Sequence, residues 1–133
     1  MSTVIAKPQV EIDAAINELV KQQVERCTIV HCRFFTEVPT GIRIWPSTFL
    51  NEDNGRKVKL IKAFNISISP IWTHHYIFDD YIRFTLVFEG LSKPCKSFAL
   101  HEEIEEPLAF YSHPISRNST DVYTTEVFAN RDF

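Results

Sequence analysis

The sequence predicts an all-β protein with the architecture of an antiparallel immunoglobulin-like β-sandwich of seven to eight strands. Apolar and polar residues alternate with period two through most of residues 28–128, as they do in strands that bury one face. The 133 residues include 11 Phe, 4 Tyr and 2 Trp, and aromatic side chains favour pleated sheets. Strands do not alternate with helices along the chain, so a parallel α/β sheet is not expected. Two antiparallel sheets that cover each other's apolar faces are the expected architecture.

The length of the chain fits one domain. We expect a flexible N-terminus over residues 1–8 and a single β-sandwich domain over residues 9–133. Residues 9–23 allow two interpretations, and both stay open. Val10 and Ile12 alternate as they would in a first strand. A second set of apolar residues has the spacing of one stripe on a short N-terminal helix: Ile12, Ala15, Ile16, Leu19 and Val20.

The first half of the sheet region follows from alternation and turn residues. The first strand has an apolar face of Val30, Cys32 and Phe34 and a polar face of His31 and Arg33. Residues 42–44 predict a second strand, which Trp45-Pro46 ends or kinks because proline cannot donate to a ladder. Asn54-Gly55 between strand-like flanks predicts a hairpin.

The second half continues the same pattern. Residues 57–68 are the return strand of the hairpin, and residues 69–80 are a longer loop. Residues 81–89 form a strand whose apolar face is Ile82, Phe84, Leu86 and Phe88. Three further strands are expected over residues 95–100, 110–115 and 121–128. The acids Glu102, Glu103, Glu105 and Glu106 are interpreted as a solvated edge, where water relieves their repulsion.

Four segments resemble a known family: RIWPSTFL (43–50), KLIKAFNISISP (59–70), FTLVFEGL (84–91) and KSF (96–98). They are similar to immunoglobulin-like β-sandwich domains of uncharacterised proteins from Bacteroidetes-type bacteria, over about residues 24–128. The shared positions are mostly core and turn residues. The resemblance therefore implies a fold, and it transfers no activity and no catalytic residue.

Charge and cysteine content limit the partners and the compartment. The formal net charge is −3 and no basic run occurs, which argues against nucleic-acid binding. The odd set Cys27, Cys32 and Cys95 fits a reducing compartment, and no stretch has the length of a membrane span. We expect a cytoplasmic protein. An exported form with a removed signal stays open, because the resemblance implies many exported relatives.

The motifs of common enzymes are absent from the sequence. No Gly-x-Ser-x-Gly elbow occurs, and three glycines at 41, 55 and 90 make no phosphate-binding loop. Cys32 lacks a positioned base, since His31 faces the other side of its strand. We therefore predict a non-enzymatic protein with no catalytic residues and no cofactor.

The main functional hypothesis is a module for protein–protein interaction or self-association, through a sheet edge or the 70–80 loop. Aromatic side chains beside turns or in that loop are typical anchors of interfaces. The candidate interface residues are Trp45, Trp72, Tyr76 and Phe78. The competing interpretation is that these aromatics close the ends of the sandwich.

The alternative function is metal or small-ligand binding in the same loop. His74, His75, Asp79 and Asp80 supply imidazole and carboxylate groups, which are legitimate zinc ligands. Adjacent histidines in a strand would point to opposite faces, however, and no His-x-x-x-His or Cys-x-x-Cys spacing supports the site.

Overall fold

The computed structural model describes residues 27–75, 79–104 and 108–130, and within these ranges it contains strands and no helix. The all-β prediction is confirmed. The flexible start over residues 1–8 and the helix-or-strand alternatives for residues 9–23 lie outside the described residues. None of the described segments forms a helix with the length and hydropathy needed to cross a membrane.

The strands fall in chain order as follows. They are β1 (Cys27–Thr36), β2 (Thr40–Ile44), β3 (Phe49–Glu52), β4 (Lys57–Phe64), β5 (Ser67–Ile68), β6 (Thr73–His75), β7 (Asp80–Glu89), β8 (Ser97–His101), β9 (Ala109–Tyr111), β10 (Ile115–Ser116) and β11 (Val122–Asn130). The predicted strand over residues 81–89 is confirmed as β7. The predicted loop over residues 69–80 is partly wrong, since it contains β6.

Seven strands close into a barrel. The sheet runs in the order β8-β3-β4-β7-β1-β11-β9, and β9 returns to pair with β8 at Tyr111 and His101. Strand β10 pairs with β8 outside the ring. A separate small sheet has the order β5-β2-β6.

The predicted antiparallel immunoglobulin-like sandwich is wrong. The structure has one closed sheet instead of two stacked sheets, and it is mixed, because β1 runs parallel to β11 and antiparallel to β7. Period-two patterning says only that each strand has one buried face. A closed sheet buries that face against its own far side, so both architectures produce the same alternation.

The barrel interior is filled by side chains that the alternation predicts to lie inside. On β7, Ile82, Phe84, Leu86 and Phe88 are all buried, and on β1 Val30 and Cys32 face them. The interior residues that the structure adds from the other strands include Leu50, Val58, Phe98, Leu100, Tyr123 and Val127. A small barrel of this strand number leaves room for such side chains and no open channel.

The Asn54-Gly55 hairpin is confirmed between β3 and β4. Gly55 has a φ of 89°, a conformation that glycine adopts without a Cβ clash. Further along, the β4–β7 register shifts between Leu60 and Lys62. This bulge leaves Ile61 on the outer surface, 56% exposed.

Candidate functional site: a cleft at one end of the barrel

A cleft of about 630 Å³ opens at the end of the barrel where β1, β8 and β11 finish. Its walls come from the end of β1, from β2, and from the segments on either side of β9. Phe34 and Phe110 form the apolar interior of the cleft, and their rings make an edge-to-face contact with centroids 5.1 Å apart. The volume is in the range of ordinary ligand pockets.

One wall brings a guanidinium group close to two indole rings. The Arg43 Cζ lies 4.0 Å from the Trp72 ring centroid and 5.3 Å from that of Trp45. The Arg43 Nη1 also donates a hydrogen bond to the Pro70 carbonyl at 3.1 Å. Cation–π stacking of this kind holds flat side chains in one arrangement, so the wall is preformed.

The local sequence of β2 produces this wall. Ile42 and Ile44 are buried, and strand alternation therefore sends Gly41 and Arg43 to the opposite face. Gly41 lies opposite His74 on β6. A Cβ at Gly41 would come within 3.1 Å of the His74 ring and 3.4 Å of the Trp72 ring. The missing side chain therefore lets β6 and Trp72 approach β2 closely.

A buried carboxylate also lines the cleft. Glu102 is 4% exposed, and its oxygens accept hydrogen bonds from the backbone N–H groups of Trp45 at 2.9 Å and Phe110 at 3.0 Å. Burial raises the pKa of Glu102, and the hydrogen bonds from Phe110, Trp45 and Thr48 oppose that rise. Because Glu102 joins β2 to β9, it acts as a structural brace beneath the cleft.

The prediction that the acids of residues 102–106 form a solvated edge is therefore wrong for Glu102. The chain turns into the barrel end directly after β8, and the carboxylate meets unpaired backbone N–H groups there. Glu103 fits the prediction, since it is exposed and pairs with Lys57 Nζ at 3.4 Å. Glu105 and Glu106 lie outside the described residues.

The rim of the cleft is apolar and exposed. Four large apolar side chains that line it are open to solvent: Phe35 (40%), Val38 (60%), Trp72 (50%) and Leu108 (54%). The described part of the chain has eight exposed large apolar side chains in all, so half of them gather at this one place. Scattered apolar residues are normal on a surface, whereas a cluster of them is uncommon and is the most distinctive surface feature of the cleft.

The structure brings two of the four candidate interface residues together. Trp45 and Trp72 flank Arg43 in the cleft wall. Tyr76 and Phe78 lie outside the described residues. The interface role of all four stays a prediction.

The candidate metal ligands are distributed along β6 and the start of β7. His74 is exposed on β6, and the side chain of His75 is outside the described set. Asp79 is exposed, and the Asp80 carboxylate accepts a hydrogen bond from the Tyr81 N–H at 2.7 Å. Over residues 27–75, 79–104 and 108–130, no three His, Cys, Asp or Glu side chains are placed to hold a metal ion.

Several residues of the cleft were not singled out by the sequence, including the rim residues Phe35 and Val38. Arg43 alternates with Ile42 and Ile44 next to a tryptophan, and this spacing was a usable signal for a cation–π contact. Leu108 and Glu102 carried no such signal. Their roles depend on where the segment between β8 and β9 crosses the barrel end, which a local pattern does not encode.

Comparison with known proteins adds no relative: no protein-family model, no curated protein and no solved structure matches the chain. The immunoglobulin-like fold that the resemblance implies is wrong, since the sheet closes through the β8–β9 pairing. Membership of that bacterial family stays a prediction.

Proposed function

We propose that the protein is a non-enzymatic interaction module that associates with a second copy of itself through the barrel-end cleft. The observation that carries this proposal is the gathering of Phe35, Val38, Trp72 and Leu108 on one rim. Exposed apolar groups of this kind gain free energy when a second surface removes them from water.

The exposed rim favours a protein surface over a small molecule. A small ligand is covered by the walls of its pocket, so a ligand inside the cleft would leave the outer parts of Val38 and Leu108 in water. An opposing protein surface would cover the cleft and the rim together. Trp72 is the natural anchor, because tryptophans dominate the binding free energy of many interfaces.

The charges of the cleft favour a second copy as that protein. Among the described residues of the cleft lining, Arg43 contributes a positive charge and the exposed Glu37 a negative charge. In a two-fold interface the same patch meets itself, and self-complementary charge is what such a contact requires. The net charge of −3 argues against a polyanion as the partner.

Sedimentation velocity from low to high micromolar concentration tests this proposal. The wild type is expected to sediment faster as concentration rises. The double variant V38S/L108S should raise the dissociation constant by about tenfold or more, because a partner that buries both apolar side chains gains about 1 kcal/mol or more from each. The matched control is I61S, an exposed apolar residue on β4 away from the cleft, which should leave association unchanged.

Two results would overturn self-association through the cleft. One is a wild type that stays monomeric over the whole concentration range. The other is equal weakening by Ile61→Ser, which would mean that the effect is not local. A monomeric wild type can still bind an apolar dye saturably. If V38S/L108S does not bind that dye, the cleft is a site for a small ligand.

We also propose that the protein works in the cytoplasm. Cys32 and Cys95 are buried as free thiols, and burial raises the pKa of Cys32 to about 12. Both therefore serve as small apolar side chains, a state that a reducing compartment maintains. Cell fractionation with a specific antibody tests the location, and recovery outside the cytoplasm would contradict it.

A further inference from the structure

We propose that the outer surface of the barrel carries an oxyanion-binding site centred on Arg33 and Arg83. The two residues are direct partners in the antiparallel β1–β7 register. In the neighbouring row, His31 is the partner of Thr85 on one side and of Thr124 on the other. These five side chains line a shallow depression of about 190 Å³, which is separate from the barrel-end cleft.

The charge of this depression is not balanced by the described residues. Like charges directly opposite each other across two strands are destabilising. Glu126 lies 4.0 Å from the Arg33 Nε, a long contact for an ion pair. No carboxylate of the described residues lies within ion-pair distance of Arg83. Arg33 thus has one long-range acidic partner and Arg83 has none among the described residues, so a bound anion would reduce the repulsion between the two guanidinium groups.

The donors of the depression are held in place. Arg33 and Arg83 both lie near the Tyr81 ring, with their Cζ atoms 5.4 Å and 5.9 Å from its centroid. The His31 Nδ1 and the Thr85 hydroxyl oxygen are 2.8 Å apart. Contact with an aromatic ring restricts a guanidinium group and leaves its in-plane N–H donors available.

This arrangement defines the class of ligand. Paired guanidinium groups recognise the oxygens of phosphate and carboxylate groups through charge-assisted, bidentate hydrogen bonds. The hydroxyl and imidazole groups beside them supply additional donors. The shared chemistry is therefore a phosphate- or carboxylate-bearing ligand, and the two sources are separated by the probes used.

Calorimetric titration with pyrophosphate and, separately, with succinate tests the site at constant ionic strength. At least one probe is expected to bind saturably to the wild type. Arg83→Gln should weaken that binding by about tenfold or more, because it removes a charge-assisted contact. The matched control is K59Q, which removes one positive charge from an exposed position on β4 outside the depression, and its affinity should equal that of the wild type.

Three outcomes bear on the proposal. Binding that R83Q loses and K59Q keeps supports it. Flat titrations with both anions overturn it, and so does an equal loss in both variants, which would indicate general charge screening. Should R83Q fold poorly, R83K takes its place, since lysine keeps the charge but loses the bidentate donors; affinity equal to that of K59Q would then overturn the proposal. This site does not depend on self-association through the cleft.

Discussion

Glu52 shows how a single buried carboxylate organises the end of the barrel opposite the cleft. It is 2% exposed and lies at the end of β3. Its oxygens accept hydrogen bonds from the Ser92 N–H at 2.8 Å, the Arg56 Nη1 at 2.9 Å and the Asn54 Nδ2 at 3.1 Å. One side chain therefore joins the β3–β4 hairpin to the segment that follows β7.

The variant E52Q tests this role through pH. Burial raises the pKa of Glu52, but the hydrogen bonds from Ser92, Arg56 and Asn54 together outweigh it and lower the pKa below its usual 4.5. A lowered folded-state pKa means that the carboxylate stabilises the protein above pH 4.5, and that this stabilisation is lost as the pH falls through the lowered value. Urea denaturation at neutral pH should show a loss of about 1–3 kcal/mol for E52Q.

The difference between wild type and E52Q should be smaller at acid pH than at neutral pH, because the wild-type carboxylate protonates as the pH falls through its lowered pKa. The matched control is E89Q, which replaces an exposed carboxylate at the end of β7 and should stay within about 0.5 kcal/mol of the wild type. A difference between E52Q and wild type that is the same at both pH values would contradict the assigned role.

At the scale of elements, the seam between β8 and β9 is the part of the barrel most dependent on side chains. The ladder there has a single partner pair, His101 and Tyr111. The Ser112 hydroxyl extends it by accepting a hydrogen bond from the Leu100 N–H at 2.9 Å, while the Ser112 N–H donates to the Leu100 carbonyl at 3.0 Å. On the cleft side, Glu102 extends the ladder through the hydrogen bond that its carboxylate accepts from the Phe110 N–H. Closure thus combines a short ladder with two side-chain braces.

Removing one brace should weaken the seam selectively. S112A leaves the buried Leu100 N–H without its acceptor, which should cost about 1–3 kcal/mol of unfolding free energy. Hydrogen exchange is expected to accelerate more at Leu100 than at Val30 in β1. The control S116A replaces an exposed serine of β10 and should change little. A loss from S112A no larger than that from S116A would contradict the account of closure.

At the scale of the whole molecule, the sequence predicts which faces are buried better than how the strands assemble. Alternation correctly assigns the inner faces of β1 and β7, and Asn54-Gly55 correctly marks the hairpin. The closed sheet could not be predicted in this way, because it depends on pairing between β1 and β11, which lie at opposite ends of the described chain. Taken alone, β1 or β11 would show the same alternation of apolar and polar residues in a sandwich.

The site was predictable only in part for a similar reason. Trp45 and Trp72 could be singled out as aromatic residues near turns, yet their shared contact with Arg43 depends on the pairing of β2 with β6. Glu52 and Glu102 each stand beside other acids in the sequence, which favours an exposed interpretation. Their burial is decided by backbone N–H groups of distant segments, Ser92 for Glu52 and Trp45 for Glu102.

The barrel and its cleft both depend on one closed mixed sheet, and nuclear Overhauser spectroscopy tests that sheet most directly. The parallel register predicts amide contacts that follow the pairs Val30–Tyr123 and Cys32–Thr125, together with contacts across the seam between Leu100 and Ser112. An antiparallel contact pattern on both sides of β1, or a seam without contacts, would contradict the barrel, and the cleft formed at its end would be lost with it.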